Sequence, residues 1–118
     1  FKIECRGQQI MQVLLNLMNN AFDAVQGLGK KWVVLDVRLD NDSCEWVLTD
    51  SGEGIPKDLQ QKIFQPLFTT KGDKNNAGLG LSISNSIIVA HNGEIRIDDS
   101  ALNTRFIIRV PLQQLKNI

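Results

Sequence analysis

One segment near the N-terminus has a periodicity that fits a single kind of structure. Within residues 8–25, apolar side chains recur at steps of three and four, at Ile10, Val13, Leu14, Leu17, Met18, Ala21 and Val25. This spacing places them on one face of an amphipathic helix. Gly27 and Gly29 follow and favour an end to the helix. Because a helix with one apolar face is stable only when that face is covered, the chain must build a second layer against it.

The rest of the chain alternates between strand-like and helix-like patterns. Strands are predicted at residues 2–5, 32–39, 44–49, 95–97 and 106–110. Further helices are predicted at about 56–63 and at 79–90, the latter with Leu79, Ile83, Ile87 and Ala90 on its inner face. Four polar residues join the second and third strands and predict a hairpin. We therefore expect an α/β two-layer sandwich, in which a mixed, mostly antiparallel sheet is covered on one face by about three helices.

Composition limits the classes of function. The 118 residues have 13 basic and 13 acidic side chains, so a net charge of zero gives no general attraction to nucleic acid. The apolar runs are much shorter than the roughly 20 residues that span a bilayer. The opening residues lack the features of a signal peptide, and we expect a single cytoplasmic domain over residues 1–118, excised from a longer protein. Cys5 and Cys44 lack metal-ligand spacing and are expected to be buried free thiols.

A second stripe of polar side chains runs along the first helix. Gln12, Asn16, Asn20 and Asp23 follow steps of four, four and three and share a face. Asn lowers helix stability because its side chain competes for backbone hydrogen bonds, so repeated Asn residues suggest a task. An amide oxygen is a ligand that suits Mg²⁺, which takes one or two protein oxygens together with phosphate oxygens and water. The alternative is that these amides only pack against a neighbouring loop.

The third predicted strand ends in a carboxylate that is followed by two glycines, in Asp50-Ser-Gly-Glu-Gly54-Ile55. Glycines let backbone approach a ligand closely. An ionised carboxylate only accepts hydrogen bonds, so it would pair with the exocyclic amine of adenine and repel the carbonyl oxygen of guanine. An ordinary β-turn is the alternative interpretation of this segment.

A glycine-containing segment, Gly78-Leu-Gly-Leu81, enters the last helix. The free N–H groups and the dipole of a helix N-terminus favour anions, and glycines allow a phosphate to approach. The segment is neither a dinucleotide fingerprint nor a P-loop, and simple helix entry is the alternative. Upstream, residues 65–78 show little periodicity and predict a mobile lid. Thr69, Thr70 and Lys71 within it could close over a triphosphate.

The order of these motifs resembles the catalytic and ATP-binding domain of sensor histidine kinases, in the superfamily shared with gyrase, Hsp90 and MutL. Residues 12–24 resemble the N box of that family, residues 50–54 its first glycine box, residues 63–71 its F box and residues 78–81 its second glycine box. Asp23 stands where many relatives carry Lys or Arg, and the form with Asp at this position occurs in a nitrogen-regulator-like subgroup. Asn103 stands where relatives often have Gly.

The resemblance implies roles for particular residues. Asn20 would be the Mg²⁺ ligand, with Asn16 one turn before it near the phosphates, and Asp50 would bind the adenine amine. The implied catalytic residues are Asn16, Asn20 and Lys71. The implied nucleotide-binding residues are Asn16, Asn20, Asp23, Asp50, Gly52, Gly54, Ile55, Thr69, Thr70, Lys71, Gly78, Leu79, Gly80 and Leu81.

The function that the resemblance implies is delivery of the γ-phosphoryl group of Mg-ATP to a histidine on a separate dimerisation domain. A response regulator would act downstream, and nucleic acid is not an expected partner. The fragment is expected to be monomeric and unable to autophosphorylate, within a homodimeric parent that can be membrane-anchored. His91 is expected to be structural. A nucleotide sensor or interaction module is the alternative. An ATP-hydrolysing clamp is less favoured, because those proteins carry a Glu general base where this chain has Asn16.

Overall fold

A computed structural model describes residues 5–65 and 77–113, with the backbone alone for residues 77–80. The elements, in chain order, are α1 (Gly7–Val25), β1 (Val33–Leu39), β2 (Ser43–Asp50), α2 (Lys57–Gln60), α3 (Ala77–Ala90), β3 (Glu94–Ile97) and β4 (Thr104–Pro111). Most of the predicted first strand at residues 2–5, and most of the predicted lid, lie outside the described residues. Within them, no helix is long and apolar enough to cross a membrane.

The four strands form one sheet in the order β1-β2-β4-β3. The predicted hairpin is present, with Val33 opposite Asp50 at its open end and Leu39 opposite Cys44 near its turn. β4 lies between β2 and β3, and every described strand pair is antiparallel. The predicted two-layer sandwich is confirmed, and the part of the sheet that is described contains no parallel pair.

The helices lie on one face of this sheet, side by side. α1 packs against β2 and β1, α3 packs against β3 and β4, and the two helices pack against each other. The core between the layers joins the predicted inner face of α1 to three strands and to α3, through Ile10, Val13, Leu17, Ala21, Leu48, Ile88, Ile95, Ile108 and Val110. The stripe that was predicted for α1 is therefore the one that the fold buries.

The inner face of α3 differs from the prediction. Ser84 and Ile88 are fully buried, whereas Ile83 is 42% exposed and Ala90 is also exposed. The physical reason is that α3 has apolar residues on every side, so periodicity alone does not select the buried face. The helix also begins at Ala77, and the last two residues of the predicted lid therefore belong to it.

The helix predicted at residues 56–63 is shorter than expected. Pro56 has φ −55° and ψ 143°, so it precedes the helix rather than forming its first turn, and α2 covers only Lys57–Gln60. Turns continue the chain to Ile63, which is buried. The short α2 and this turn lie next to the segment that follows β2.

His91 is buried at the end of α3, where the chain turns into β3. Its Nε2 accepts a hydrogen bond from the backbone N–H of Arg6 at 3.1 Å, and its Nδ1 is 2.8 Å from the carbonyl oxygen of Ile87. Asn92 then takes a positive φ of 62°, which ends the helix. These two backbone partners give the histidine the structural role that was expected of it.

The two cysteines differ in burial. Cys44 is buried in β2, and burial raises the pKa of its thiol. Cys5 is only partly buried, which corrects the expectation that both would be enclosed, although its side chain packs against the edge of the core. Both thiols are free.

Candidate functional site

A cavity of about 510 Å³ opens beside α1, at the end of β2 and the start of β4. This volume lies within the usual range for sites that bind small molecules. Its apolar walls come from Leu17, Ala21, Ala24, Leu28, Ile55, Leu59, Ile63, Leu81 and Phe106. Its polar lining includes Asn20 from α1, Asp50 from β2 and Thr104 from β4. The cavity therefore combines mostly apolar walls with a few polar groups, each on a different element.

Asp50 is the last residue of β2 and is 4% exposed. One of its carboxylate oxygens accepts the backbone N–H of Gly52 at 2.7 Å, and the side chain of Thr104 also hydrogen-bonds to the carboxyl group. Burial raises the pKa of Asp50, because a low-dielectric surrounding disfavours the charged form, and these two hydrogen bonds act in the opposite direction. The result is a buried acceptor that is held in one orientation at the cavity wall.

The two glycines after Asp50 are required for different reasons. A Cβ on Gly52 would lie 2.8 Å from the Asp50 carboxylate and 2.8 Å from the Thr104 hydroxyl, so there is no room for one. Gly54 has a φ of +95°, a conformation that side-chain-bearing residues rarely adopt. Its N–H donates to the hydroxyl of Thr104 at 3.0 Å. Both glycines therefore line the cavity next to Asp50.

Thr104 belongs to this wall, and Asn103 supports it without lining the cavity, but neither was predicted as a site residue. The backbone N–H of Thr104 donates to the carbonyl oxygen of Gly52 at 3.1 Å, and the side-chain amide of Asn103 donates to the same oxygen at 3.2 Å. The β2–β4 register places Thr104 opposite Asp50. The Thr-x-Phe pattern at residues 104–106 was the signal that could have pointed to Thr104.

The residues of the polar stripe of α1 do not all line the cavity. Asn20 is half-buried and lines the cavity. Asn16 does not line it, and its side-chain amide donates instead to the hydroxyl of Ser84 in α3, at 3.4 Å. Asp23 is exposed and is not part of the cavity lining. The structure thus brings Asn20 together with Asp50, and places Asn16 and Asp23 outside the cavity.

Four of the remaining predicted residues lie at the start of α3. Leu81 lines the cavity, and Gly78, Leu79 and Gly80 fall in the first turn of α3, which begins at Ala77. The first four N–H groups of a helix lack partners within the helix and can bind an anion. Thr69, Thr70 and Lys71 lie outside the described residues.

The residues that line the cavity could bind Mg²⁺ only together with a phosphate-bearing ligand, which would supply further oxygens to the metal. Among the residues that the structure describes, no group of three or more His, Cys, Asp or Glu side chains could hold a metal. Mg²⁺ bound with a nucleotide needs only one or two protein oxygens, because phosphates and water supply the others. The amide oxygen of Asn20 is a suitable hard donor at the cavity wall.

Residues 5–114 match the family of histidine kinase-, DNA gyrase B- and HSP90-like ATPases. The chain is 36% identical over 115 residues to the two-component sensor PprA of Pseudomonas aeruginosa, covering 91% of this chain and 12% of that protein. It is 34% identical over 114 residues to the sensory histidine kinase/phosphatase NtrB of Proteus hauseri, covering 89% of this chain and 32% of that protein. The fold matches the catalytic domain of histidine kinase ThkA, in a nucleotide-free form, with a TM-score of 0.81 and 34% identity over 94% of this chain and 72% of that one.

The match to the family covers nearly the whole chain, whereas the chain spans only a small part of the length of these sensor kinases. The four-stranded antiparallel sheet with helices on one face is shared with the catalytic domain of ThkA. The chain therefore belongs to the histidine kinase-, DNA gyrase B- and HSP90-like ATPase family, as an ATP-binding catalytic domain of the sensor histidine kinase type.

Proposed function

We propose that this chain binds Mg-ATP in the 510 Å³ cavity and delivers the γ-phosphoryl group to a histidine on a separate dimerisation domain of its parent kinase. The observation that carries the proposal is the buried carboxylate of Asp50, oriented by Gly52 and Thr104 at the wall of a mostly apolar cavity. A fixed acceptor among apolar walls suits a flat, largely apolar base that presents one hydrogen-bond donor.

Adenine is the base that matches this acceptor. Its exocyclic amine donates to a carboxylate, whereas guanine presents a carbonyl oxygen at the same position and would be repelled. The apolar side chains of Ala21, Ile55 and Phe106 also line the cavity and would pack against the faces of the ring. Gly52 and Gly54 keep side chains out of the space next to Asp50.

The phosphates would lie toward Asn20 and the first turn of α3. Asn20 would hold Mg²⁺ through its amide oxygen, and the N–H groups of residues 78–81 would bind phosphate oxygens. Bound Mg²⁺ would neutralise phosphate charge during transfer. Lys71, with Thr69 and Thr70, would complete the phosphate site. Phosphoryl transfer depends mainly on such positioning and charge neutralisation, so this chain needs to supply no covalent intermediate.

The acceptor histidine would come from outside the chain. His91 is the only histidine in the sequence, it is buried, and both ring nitrogens face backbone groups. The parent would dimerise through the acceptor domain, while this fragment is monomeric, and a response regulator would receive the phosphoryl group. Efficient hydrolysis is not expected, because the amide of Asn16 is no general base and is hydrogen-bonded to Ser84.

The test is phosphorylation in trans. The chain, the histidine-bearing dimerisation domain of its parent, Mg²⁺ and γ-labelled ATP are mixed, and acid-labile phosphohistidine is measured. We expect label on the added domain only, lost in Asn20→Ala and retained in Gln26→Ala, a change at an exposed position outside the cavity. Label on the chain alone would contradict the proposal. Nucleotide binding without transfer would instead identify a nucleotide sensor.

A further inference from the structure

The middle of α3 contains a hydroxyl group that is completely enclosed. Ser84 is 0% exposed and shares the buried face of α3 with Ile88. Alanine would fill this position with better helix propensity and no polar group to bury. A buried hydroxyl is tolerated when it is hydrogen-bonded, and the hydroxyl of Ser84 accepts from the side-chain amide of Asn16 at 3.4 Å. The bond therefore connects the two helices that flank the cavity.

Each residue of the pair lies about one helical turn from a residue that lines the cavity. Asn16 precedes Asn20 by four residues, or about 6 Å along α1, and Ser84 follows Leu81 by three residues, or about 4.5 Å along α3. Both Asn20 and Leu81 line the cavity. Any change in the separation of α1 and α3 at Asn16 and Ser84 would therefore also change the distance from Asn20 to the first turns of α3.

We infer that Ser84 is a positioning residue, which acts through Asn16 to set the spacing between the metal ligand Asn20 and the phosphate-binding start of α3. This inference rests on the proposed function, because it concerns the triphosphate end of that site. It gives Asn16 a role different from a direct phosphate contact. With the amide nitrogen bound to Ser84, the Asn16 side chain is a connection between helices.

The substitution Ser84→Ala separates this role from simple packing. Alanine is slightly smaller than serine, so the helices can keep their approach, and it favours the helix. Asn16 is only half-buried, so its amide can bind water once the hydroxyl is gone. The fold should therefore survive. The variant should lose affinity for the triphosphate part of the ligand and keep its affinity for the base that binds at Asp50.

The experiment is calorimetric titration with two ligands. Adenosine, which has no phosphates, reports the base end of the site, and a non-hydrolysable ATP analogue with Mg²⁺ reports both ends. We expect Ser84→Ala to weaken binding of the Mg²⁺–analogue by roughly two- to tenfold, the scale of one neutral hydrogen bond, and to change adenosine binding by less than about twofold. Asn16→Ala should also weaken binding of the Mg²⁺–analogue without changing binding at the base end. The double variant should lose little more affinity for the analogue than either single variant does.

Ser86→Ala is the matched control, because Ser86 is exposed and its hydroxyl donates within α3 itself, to the carbonyl oxygen of Ser82 at 3.0 Å. Equal weakening of both ligands, or no weakening of the Mg²⁺–analogue in either Ser84→Ala or Asn16→Ala, would overturn the positioning role while leaving the proposed function intact. A wild-type chain whose analogue binding is not strengthened by Mg²⁺ would overturn the proposed triphosphate site itself, and this inference with it.

Discussion

The two ends of the cavity are built in different ways. At the base end, four hydrogen bonds of 2.7–3.2 Å tie the segment after β2 to Asp50 and to the start of β4. At the other end, α1 and α3 are connected through the side chains of Asn16 and Ser84 at 3.4 Å. The base end is thus a closed network that uses backbone groups, whereas the other end depends on the spacing of two helices.

This difference follows from the elements that meet at each end. The base end joins two neighbouring strands, whose register fixes the backbone donors and acceptors. The helix end joins two helices through side chains, and packed helices can shift slightly relative to each other. The base end should therefore be rigid before ligand binds, so substitutions there should have the larger effects on nucleotide binding.

The largest loss of ADP affinity is expected at Gly52, which has no room for a side chain. In Gly52→Ala, the added methyl group would meet the Asp50 carboxylate and the Thr104 hydroxyl at 2.8 Å each, so both groups must move. Overpacking of this kind costs about 1–3 kcal/mol, and here it displaces the groups that would bind the base. We expect ADP affinity to fall by about one to two orders of magnitude in a calorimetric titration.

Gly27→Ala is the control for this change, because a Cβ there meets nothing within 4 Å. It should bind ADP as the wild type does. If Gly52→Ala also binds like the wild type, the segment after β2 is not the closed network described above.

The next effect is expected at Asp50. Asp50→Asn keeps the shape of the side chain but replaces part of the acceptor by a donor, so ADP binding should weaken by about 1–3 kcal/mol, the scale of a hydrogen bond to a charged group. Calorimetry with the purified variant measures this directly. Unchanged affinity would remove Asp50 from the adenine site.

The same variant should show the opposite effect on the stability of the free chain. Burial raises the pKa of Asp50 above its ordinary value of 3.8, so the folded state binds the proton more tightly than the unfolded state. The wild type therefore loses stability as the pH rises from 3.8 through the folded-state pKa, and Asp50→Asn does not. Urea unfolding at several pH values should show the variant gaining relative stability over this range. A relative loss would contradict the role of burial.

Sequence patterns predicted the features that depend on local order. The strict period of α1 was sufficient to predict the helix and its buried face. The polar turn between β1 and β2 was sufficient to predict the hairpin. Asp50, Gly52 and Gly54 were proposed as site residues for the same reason, because one short segment contains the carboxylate and both glycines, and their role in nucleotide binding stays a prediction.

Features that depend on long-range packing were missed. Thr104 and Asn103 reach the segment after β2 only because β4 pairs with β2, and periodicity does not give that register. The buried face of α3 could not be selected, because Ile83, Ile87 and Ile88 give the helix apolar residues on more than one side. Ser84 was passed over for this reason, although it is fully buried and bonded to Asn16.

The smallest effect is expected at Asn103, whose side chain adds a second donor to the carbonyl oxygen of Gly52. In Asn103→Gly the backbone donor from Thr104 remains, so ADP affinity should fall by only about 0.5–1 kcal/mol. Leu102→Ala is the neighbouring control, because Leu102 is 93% exposed. A loss in Asn103→Gly as large as that in Gly52→Ala would mean that the side chain, and not the backbone, holds the base end together.

The central claim is that the cavity beside Asp50 is an adenine-nucleotide site, and selectivity between bases tests it most directly. ADP and GDP share the ribose and the diphosphate and differ only in the purine base, so parallel calorimetric titrations of the wild-type chain compare the two bases directly. The account predicts that ADP binds and that GDP binds at least about tenfold more weakly, a difference of ~1.4 kcal/mol or more. Equal affinities, or no ADP binding by a chain shown to be folded, would contradict it.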